Sequence, residues 1–288
     1  MIKRLRKQPF SNTKPMRFTI TFLLCISTLM HSQTRRYIYQ LTYTDNVTKN
    51  SKRNANMVLD INPKDVKFYE YGFLETDSLN KLPDAIRHYR GSETKQLLKR
   101  DLNSFNNTNF HRVSDYFAFP SEDPMKWDLS NETKQIDTYK VQKATTDFGG
   151  RKWTAWFAPD IQINEGPYKF RGLPGLIFEI SDNEGHFHYI LVKNKNFSKT
   201  QSTDNFLETY YGQAPTKISM AMYKKLFLDY YNDPFAWARG APEGRWSIKI
   251  GDKEYKTKAD LKEATENSQK TMRDSYNPIE KNNAVTLK

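Results

Sequence analysis

The sequence of 288 residues has a single cysteine, Cys25. It therefore holds no disulfide pair and no thiolate set for a zinc or iron–sulfur centre. It also lacks a long hydrophobic run: the one marked apolar stretch, residues 18–30, is 13 residues long, whereas a helix needs roughly 20 to cross a bilayer. With a mean hydropathy of -0.82, a polytopic membrane protein is excluded. The local signatures of common enzymes are absent as well, with no Gly-x-Ser-x-Gly elbow, no His-Glu-x-x-His helix and no dinucleotide fingerprint. Their absence counts against the widespread hydrolase and oxidoreductase classes, although a site assembled from distant residues stays open. No internal repeat, low-complexity segment or linker long enough to separate domains occurs.

Acidic side chains are missing before Asp45, while Lys3, Arg4, Arg6, Lys7, Lys14 and Arg17 precede the short apolar stretch. A basic segment followed by a short hydrophobic one is the pattern of a secretory signal peptide. Residues 1–32 are expected to be that signal, with cleavage after Ser32 and Gln33 as the new terminus. Lipidation of Cys25 is not expected, because Leu24 stands before it where a small residue is required. Removal of 1–32 leaves a chain without cysteine, which suits an oxidising envelope compartment and excludes thiol catalysis. The expected location is outside the cytoplasm: periplasmic, associated with the outer membrane, or secreted. The cut also lowers the formal charge from +12 to +6, with 39 basic against 33 acidic side chains. Half of the apparent basicity is therefore targeting signal, and clusters such as Lys49, Lys52 and Arg53 or Lys193, Lys195 and Lys199 read as solvated loops. No nucleic-acid partner is expected, and no transmembrane segment remains after cleavage.

What the remaining chain has in quantity is aromatic residues and two-residue alternation. Tyr37, Tyr39, Leu41 and Tyr43 alternate with other residues, Met57, Leu59 and Ile61 do the same, and residues 66–71 are rich in aromatics. Residues 141–146 and 152–157 flank Asp147-Phe148-Gly149-Gly150, and 176–181 and 186–193 flank Asp182-Asn183-Glu184-Gly185; both read as hairpins. Residues 92–102 suggest a short amphipathic helix. Thr216 is placed to cap a helix carrying Ile218, Met222, Leu226 and Tyr230, ended by Asn232-Asp233-Pro234. A short hairpin over 246–250 and a charged surface helix over 258–273 follow. The expectation for 33–288 is one domain of mainly β or α+β class: a curved antiparallel sheet built from hairpins, with one or two helices in the C-terminal third.

The densest run of unusual residues is Gly166-Pro167-Tyr168-Lys169-Phe170-Arg171-Gly172-Leu173-Pro174-Gly175-Leu176-Ile177. Pro174-Gly175 suits a type II turn with positive φ at Gly175, so Gly172, Pro174 and Gly175 read as a structural turn. Together with Ala144-Thr145-Thr146, Gly150-Arg151, Trp156-Phe157 and Gly166-Pro167, the string Gly172 to Ile177 resembles the GLPGLI family of exported Bacteroidetes proteins, also known as Porph_ging. The likeness is strongest over 126–197, and residues 65–78 and 277–280 resemble that family's ends. Two departures stand out: Val141 where many members have cysteine, and Gln162 in place of a proline. The family has no established activity, so the resemblance implies export and kinship of fold without assigning a catalytic residue.

Candidate chemistry is sparse. His186 and His188, two apart on a strand, fall on one face and are the alternative metal ligands, with Asp182 and Glu184 near in sequence. Asp160 and Glu165 are the candidates for a carboxylate pair of the glycosidase kind. The favoured reading needs no cofactor: the aromatic and basic surface of Arg151, Trp153, Trp156, Tyr168, Lys169 and Arg171 binds an envelope ligand or an outer-membrane protein. Lys169 and Arg171 are then expected to be exposed. Trp153 and Trp156, three apart on a strand, are expected on opposite faces. An envelope hydrolase, metal-dependent through His186 and His188, is the competing reading.

Overall fold

The computed structural model describes residues 34–288 apart from 84 and 85; the expected signal peptide and its cleavage point lie outside the described residues. Twelve strands form one open sheet. In chain order they begin with β1 (Arg35–Asn46), β2 (Ser51–Ile61) and β3 (Asp65–Glu70), then helix α1 (Gly72–Asn80), β4 (Leu97–Asp101), β5 (Asn106–Arg112) and β6 (Tyr116–Glu122). The hairpins β7 (Asp128–Ile136) with β8 (Tyr139–Phe148), β8 with β9 (Arg151–Ala158), and β10 (Leu176–Asp182) with β11 (Phe187–Asn196) continue it. The spatial order is β12-β6-β5-β4-β3-β2-β1-β11-β10-β9-β8-β7. Every pairing is antiparallel except that of β12 (Thr216–Lys217), which joins β6 in parallel. Helices α2 (Met220–Asn232) and α3 (Ala236–Gly240), a small hairpin of β13 (Ile248–Ile250) and β14 (Lys253–Tyr255), and helix α4 (Leu261–Ser275) complete the chain.

The alternation in β1 explains the core. Tyr37, Tyr39, Leu41 and Tyr43 share one face with Met57 and Leu59 of β2, Phe68 of β3, Trp153, Ala155 and Phe157 of β9, and Tyr189 of β11. On the other face of β2–β6, Val58, Tyr69, Phe110 and Tyr116 pack beneath α1 and a π-helical turn at Asp204–Glu208. A buried Arg36–Asp60 pair at 2.7 Å, joined by the Tyr69 hydroxyl, supports that side. The connection 159–175 and C-terminal elements lie across the first face.

Two helix expectations are corrected. Residues 92–102 form no helix; they give a turn and β4, whose Leu98 and Arg100 face one way and Leu97 the other, because pairing with β3 and β5 outweighs the weak helical pattern. The cap of α2 is Ser219, whose Oγ accepts from the Met222 amide at 3.1 Å, while Thr216 belongs to β12. The buried positions of α2 are accordingly Phe227 and Tyr231, with Met222 exposed. No helix among the described residues is long and apolar enough to cross a membrane.

Candidate functional site

The connection between β9 and β10 is tied down by its own backbone: Gly172 donates to Asn164 O at 3.0 Å, and Ile177 to Glu165 O at 3.1 Å. Apart from the exposed Asp160, its charges are buried and paired. Glu165 lies between Arg171, at 3.2 Å, and Arg100 of β4. Lys169 Nζ lies 2.6 Å from Glu280 and 3.0 Å from Asp123. The expected exposure of Lys169 and Arg171 is thus overturned: they are 2% and 5% exposed. The physical reason is the set of carboxylates supplied by distant segments, without which burial of either cation would be prohibitive.

The turn is also held differently from expectation. Gly175 does not have positive φ; Gly172 does, at 96°. At Gly175 the requirement is close approach, because a Cβ would press into the Ala158 carbonyl, 2.7 Å from its carbon and 3.0 Å from Pro159 Cα. Pro174 stands between them, next to the buried Leu173. Tyr168 adopts φ 54° without being glycine, and its hydroxyl donates to Glu280 at 2.5 Å. Burial raises the pKa of that phenol well above its ordinary value, with the Glu280 charge adding to the rise.

Arg151, first residue of β9, gathers the C-terminal tail onto the sheet. Its guanidinium donates to Asn277 Oδ1 at 2.8 Å and to the carbonyls of Pro278 and Ile279 at 3.0 and 3.1 Å. The same group stands among Asp182, Glu184 and His186, whose potential ligand atoms lie within 4.8 Å of one another. Arg151 Nη1 is 2.8 Å from Asp182, 3.0 Å from Glu184 and 3.3 Å from His186 Nδ1. A divalent cation would have to displace a protein cation that already serves those three groups. His188 does not join them; it bonds Glu179 at 2.9 Å. Glu165 is committed to its two arginines, while Asp160 is exposed, so the two do not form a carboxylate pair facing a common space.

The tryptophans do take opposite faces. Trp153 is buried in the core, its indole N–H donating to Phe148 O at 3.0 Å. Trp156 lies on the far face beneath Lys134, whose ammonium is 4.4 Å from the ring centroid. Of the six expected binding residues, the sheet and connection therefore bury Arg151, Trp153, Tyr168, Lys169 and Arg171, while Trp156 stays half-buried on the far side.

Two of these residues, Tyr168 and Lys169, do reach a common space. Between the sheet and the C-terminal layer lies a cavity of about 710 Å³. Tyr43, Phe119, Tyr223, Phe227 and Tyr276 are aromatic members of a wall that is otherwise mostly polar and charged, and the exposed Lys49 and Arg53 belong to the same lining. His111 Nδ1 is 2.8 Å from the Tyr223 hydroxyl. Burial, reinforced by the charges of Lys95 and Lys169, pulls the His111 pKa down to about 3, so the ring is neutral at neutral pH. Lys95 has φ 56°, and its ammonium lies 4.9 Å from the centroid of the Phe227 ring. Lys95 is exposed and is one of the residues that line the cavity. None of His111, Lys95, Tyr223 or Phe227 was marked by sequence. They come from segments spread over more than 100 residues, and no local spacing announces such a wall.

Residues 149–179 match a family model described as "Protein of unknown function (Porph_ging)", the family that the Gly172 to Ile177 string resembles. The matched segment contains Arg151, Glu165, Lys169 and Arg171, the charged residues that tie the connection and the tail to the sheet. None of the curated proteins matches the chain. Two solved structures of PNGF-II, in different space groups, are similar over 77% of this chain at 14% identity, with a TM-score of 0.49. The chain covers 39% of one and 40% of the other.

Proposed function

We propose that this is an exported envelope protein that binds a small ligand with an apolar, aromatic-compatible body in the cavity between the sheet and the C-terminal layer, without performing chemistry on it. The observation that carries the reading is the cavity itself: about 710 Å³ falls within the range of small-molecule sites, and its wall sets a group of aromatic rings among a majority of polar and charged side chains. The non-enzymatic role is supported by how the reactive groups are engaged. Glu280 is held by Lys169, and His111 is neutral with Nδ1 at the Tyr223 hydroxyl. Export is supported by the basic segment and short apolar stretch at the N-terminus, and N-terminal sequencing of the envelope form should begin near Gln33; an intact Met1 terminus overturns export with cleavage.

The binding test uses N-phenyl-1-naphthylamine, an uncharged fluorescent probe. The purified protein should bind it saturably at one site, and filling the cavity with Val285→Trp or Met220→Trp should weaken that binding. Unsaturable uptake, or equal affinity in the wild type and both filled variants, overturns the reading.

A further inference from the structure

Two buried amides in the cavity lining are only half used. Gln96, 1% exposed, sits just ahead of β4, and its Oε1 accepts from the Tyr189 hydroxyl at 2.7 Å. Asn109 of β5, 3% exposed, donates from Nδ2 to Phe119 O at 3.2 Å and to Ser121 Oγ at 2.9 Å. Among the described residues nothing hydrogen-bonds Gln96 Nε2 or Asn109 Oδ1. Buried amides normally find partners at both ends, and an end left without one costs stability. Both residues belong to one side of the sheet. Asn109 stands opposite Leu98 in the register of β4 with β5, and Gln96 precedes Leu98 by two residues, so the two amides are diagonal neighbours roughly 7–8 Å apart. Leu98 and Tyr189 are members of the core on that face.

The charged groups nearby leave this pair to an uncharged partner. Lys169 and Glu280, buried in the same lining, hold each other at 2.6 Å, while Lys49 and Lys95 are exposed to solvent. His111, two residues along β5 from Asn109, is committed to the Tyr223 hydroxyl. What the sheet offers a ligand is therefore one free N–H pair and one free carbonyl oxygen. Phe119, paired with Asn109 across β5 and β6, stacks on Tyr223 with ring centroids 4.6 Å apart and supplies an apolar wall beside them.

We propose that Gln96 and Asn109 bind the neutral carboxamide of a ligand whose apolar body lies along Phe119 and Tyr223. The ligand carbonyl accepts from Gln96 Nε2, and its N–H donates to Asn109 Oδ1. A carboxylate has no N–H for Asn109, and an ammonium has no acceptor for Gln96, so neither satisfies both ends. The assignment rests on the cavity reading above.

A pair of isosteres tests it. 2-Naphthamide and 2-isopropylnaphthalene share a ring system and differ by a carboxamide against an isopropyl group of the same shape. Each is titrated against bound N-phenyl-1-naphthylamine. Gln96→Met should weaken displacement by 2-naphthamide about tenfold, as expected for a lost hydrogen bond in an enclosed site, and leave displacement by 2-isopropylnaphthalene unchanged. The variant also takes the acceptor from the Tyr189 hydroxyl, so its melting temperature should fall. A crystal structure of the wild type with 2-naphthamide needs no variant: the amide oxygen should lie about 3 Å from Gln96 Nε2 and its nitrogen about 3 Å from Asn109 Oδ1. An amide seated elsewhere, or equal effects of Gln96→Met on the two isosteres, overturns the carboxamide site while the cavity reading stands. Failure of the wild type to bind N-phenyl-1-naphthylamine overturns both.

Discussion

Replacing Lys169 by methionine tests whether the family-matched segment is held by charge. The side chain is 1% exposed, and its ammonium lies between Glu280 and Asp123, at 2.6 and 3.0 Å. Methionine fills much of the same volume but leaves two buried carboxylates facing one another. Each keeps other donors: Asp123 accepts from Asn107 at 2.9 Å and Ser121 at 2.5 Å, and Glu280 from Tyr168 at 2.5 Å and Asn283 at 2.8 Å. Removal of one partner from a buried pair costs roughly 3–5 kcal/mol, and these retained hydrogen bonds place the expected loss near the lower end, about 3 kcal/mol. Urea unfolding should show a midpoint lowered by about 1 M or more at an unchanged slope, given slopes of about 1–3 kcal/mol per M. The double variant Lys169→Met with Glu280→Gln removes a charge of each sign and should be less destabilised than the sum of the two single changes, by about 0.5–3 kcal/mol. A loss under about 1 kcal/mol in the single variant, or strict additivity in the double, refutes the account of this segment as one held by buried ion pairs.

Gly175→Ala should cost about 2–3 kcal/mol because its methyl group meets backbone that cannot rotate away, whereas Gly172→Ala, strained by its φ of 96°, should cost about 1–2 kcal/mol; urea unfolding that ranks them the other way refutes close approach as the requirement at Gly175. Hydrogen bonding from His188, with help from Lys134, holds Glu179 down to about 2 against an ordinary value of 4.5. A carboxylate depressed in the folded state contributes stability that is full above about pH 4.5 and is lost as the pH falls toward about 2. Stability of Glu179→Gln should therefore fall less steeply than wild type across that window, by well under 1.4 kcal/mol per pH unit because the site is half open to screening solvent; parallel curves refute the assignment.

Strands β1–β3 and the hairpins β8–β9 and β10–β11 were legible in the sequence because each depends on short-range pattern. Alternation in 37–43 requires one face of β1 to be apolar, and Gly149-Gly150 and Asn183-Glu184-Gly185 mark where the chain must reverse. The opposed placement of Trp153 and Trp156 follows from the same period. Burial of charge was not legible, since it depends on partners brought from afar. Lys169 looks like a surface cation until Asp123 and Glu280, 46 residues before and 111 after it in the numbering, arrive beside it. The same holds for Gly175, whose necessity comes from the neighbouring strand's carbonyl rather than from its own dihedral angle. Residues 92–102 carry a helical pattern that local propensity favours, yet their edges are claimed by β3 and β5, and the gain from completing a sheet outweighs it. The cavity lies furthest from sequence. His111, Lys95, Tyr168 and Tyr223 belong to four separate segments, and only the packing of the C-terminal layer over the sheet encloses a space among them. Local periodicity thus determined where the chain extends and turns, while the pairing of charges and the enclosure of volume were decided by long-range contacts, because an ion pair and a cavity each exist only once both of their sides are in place.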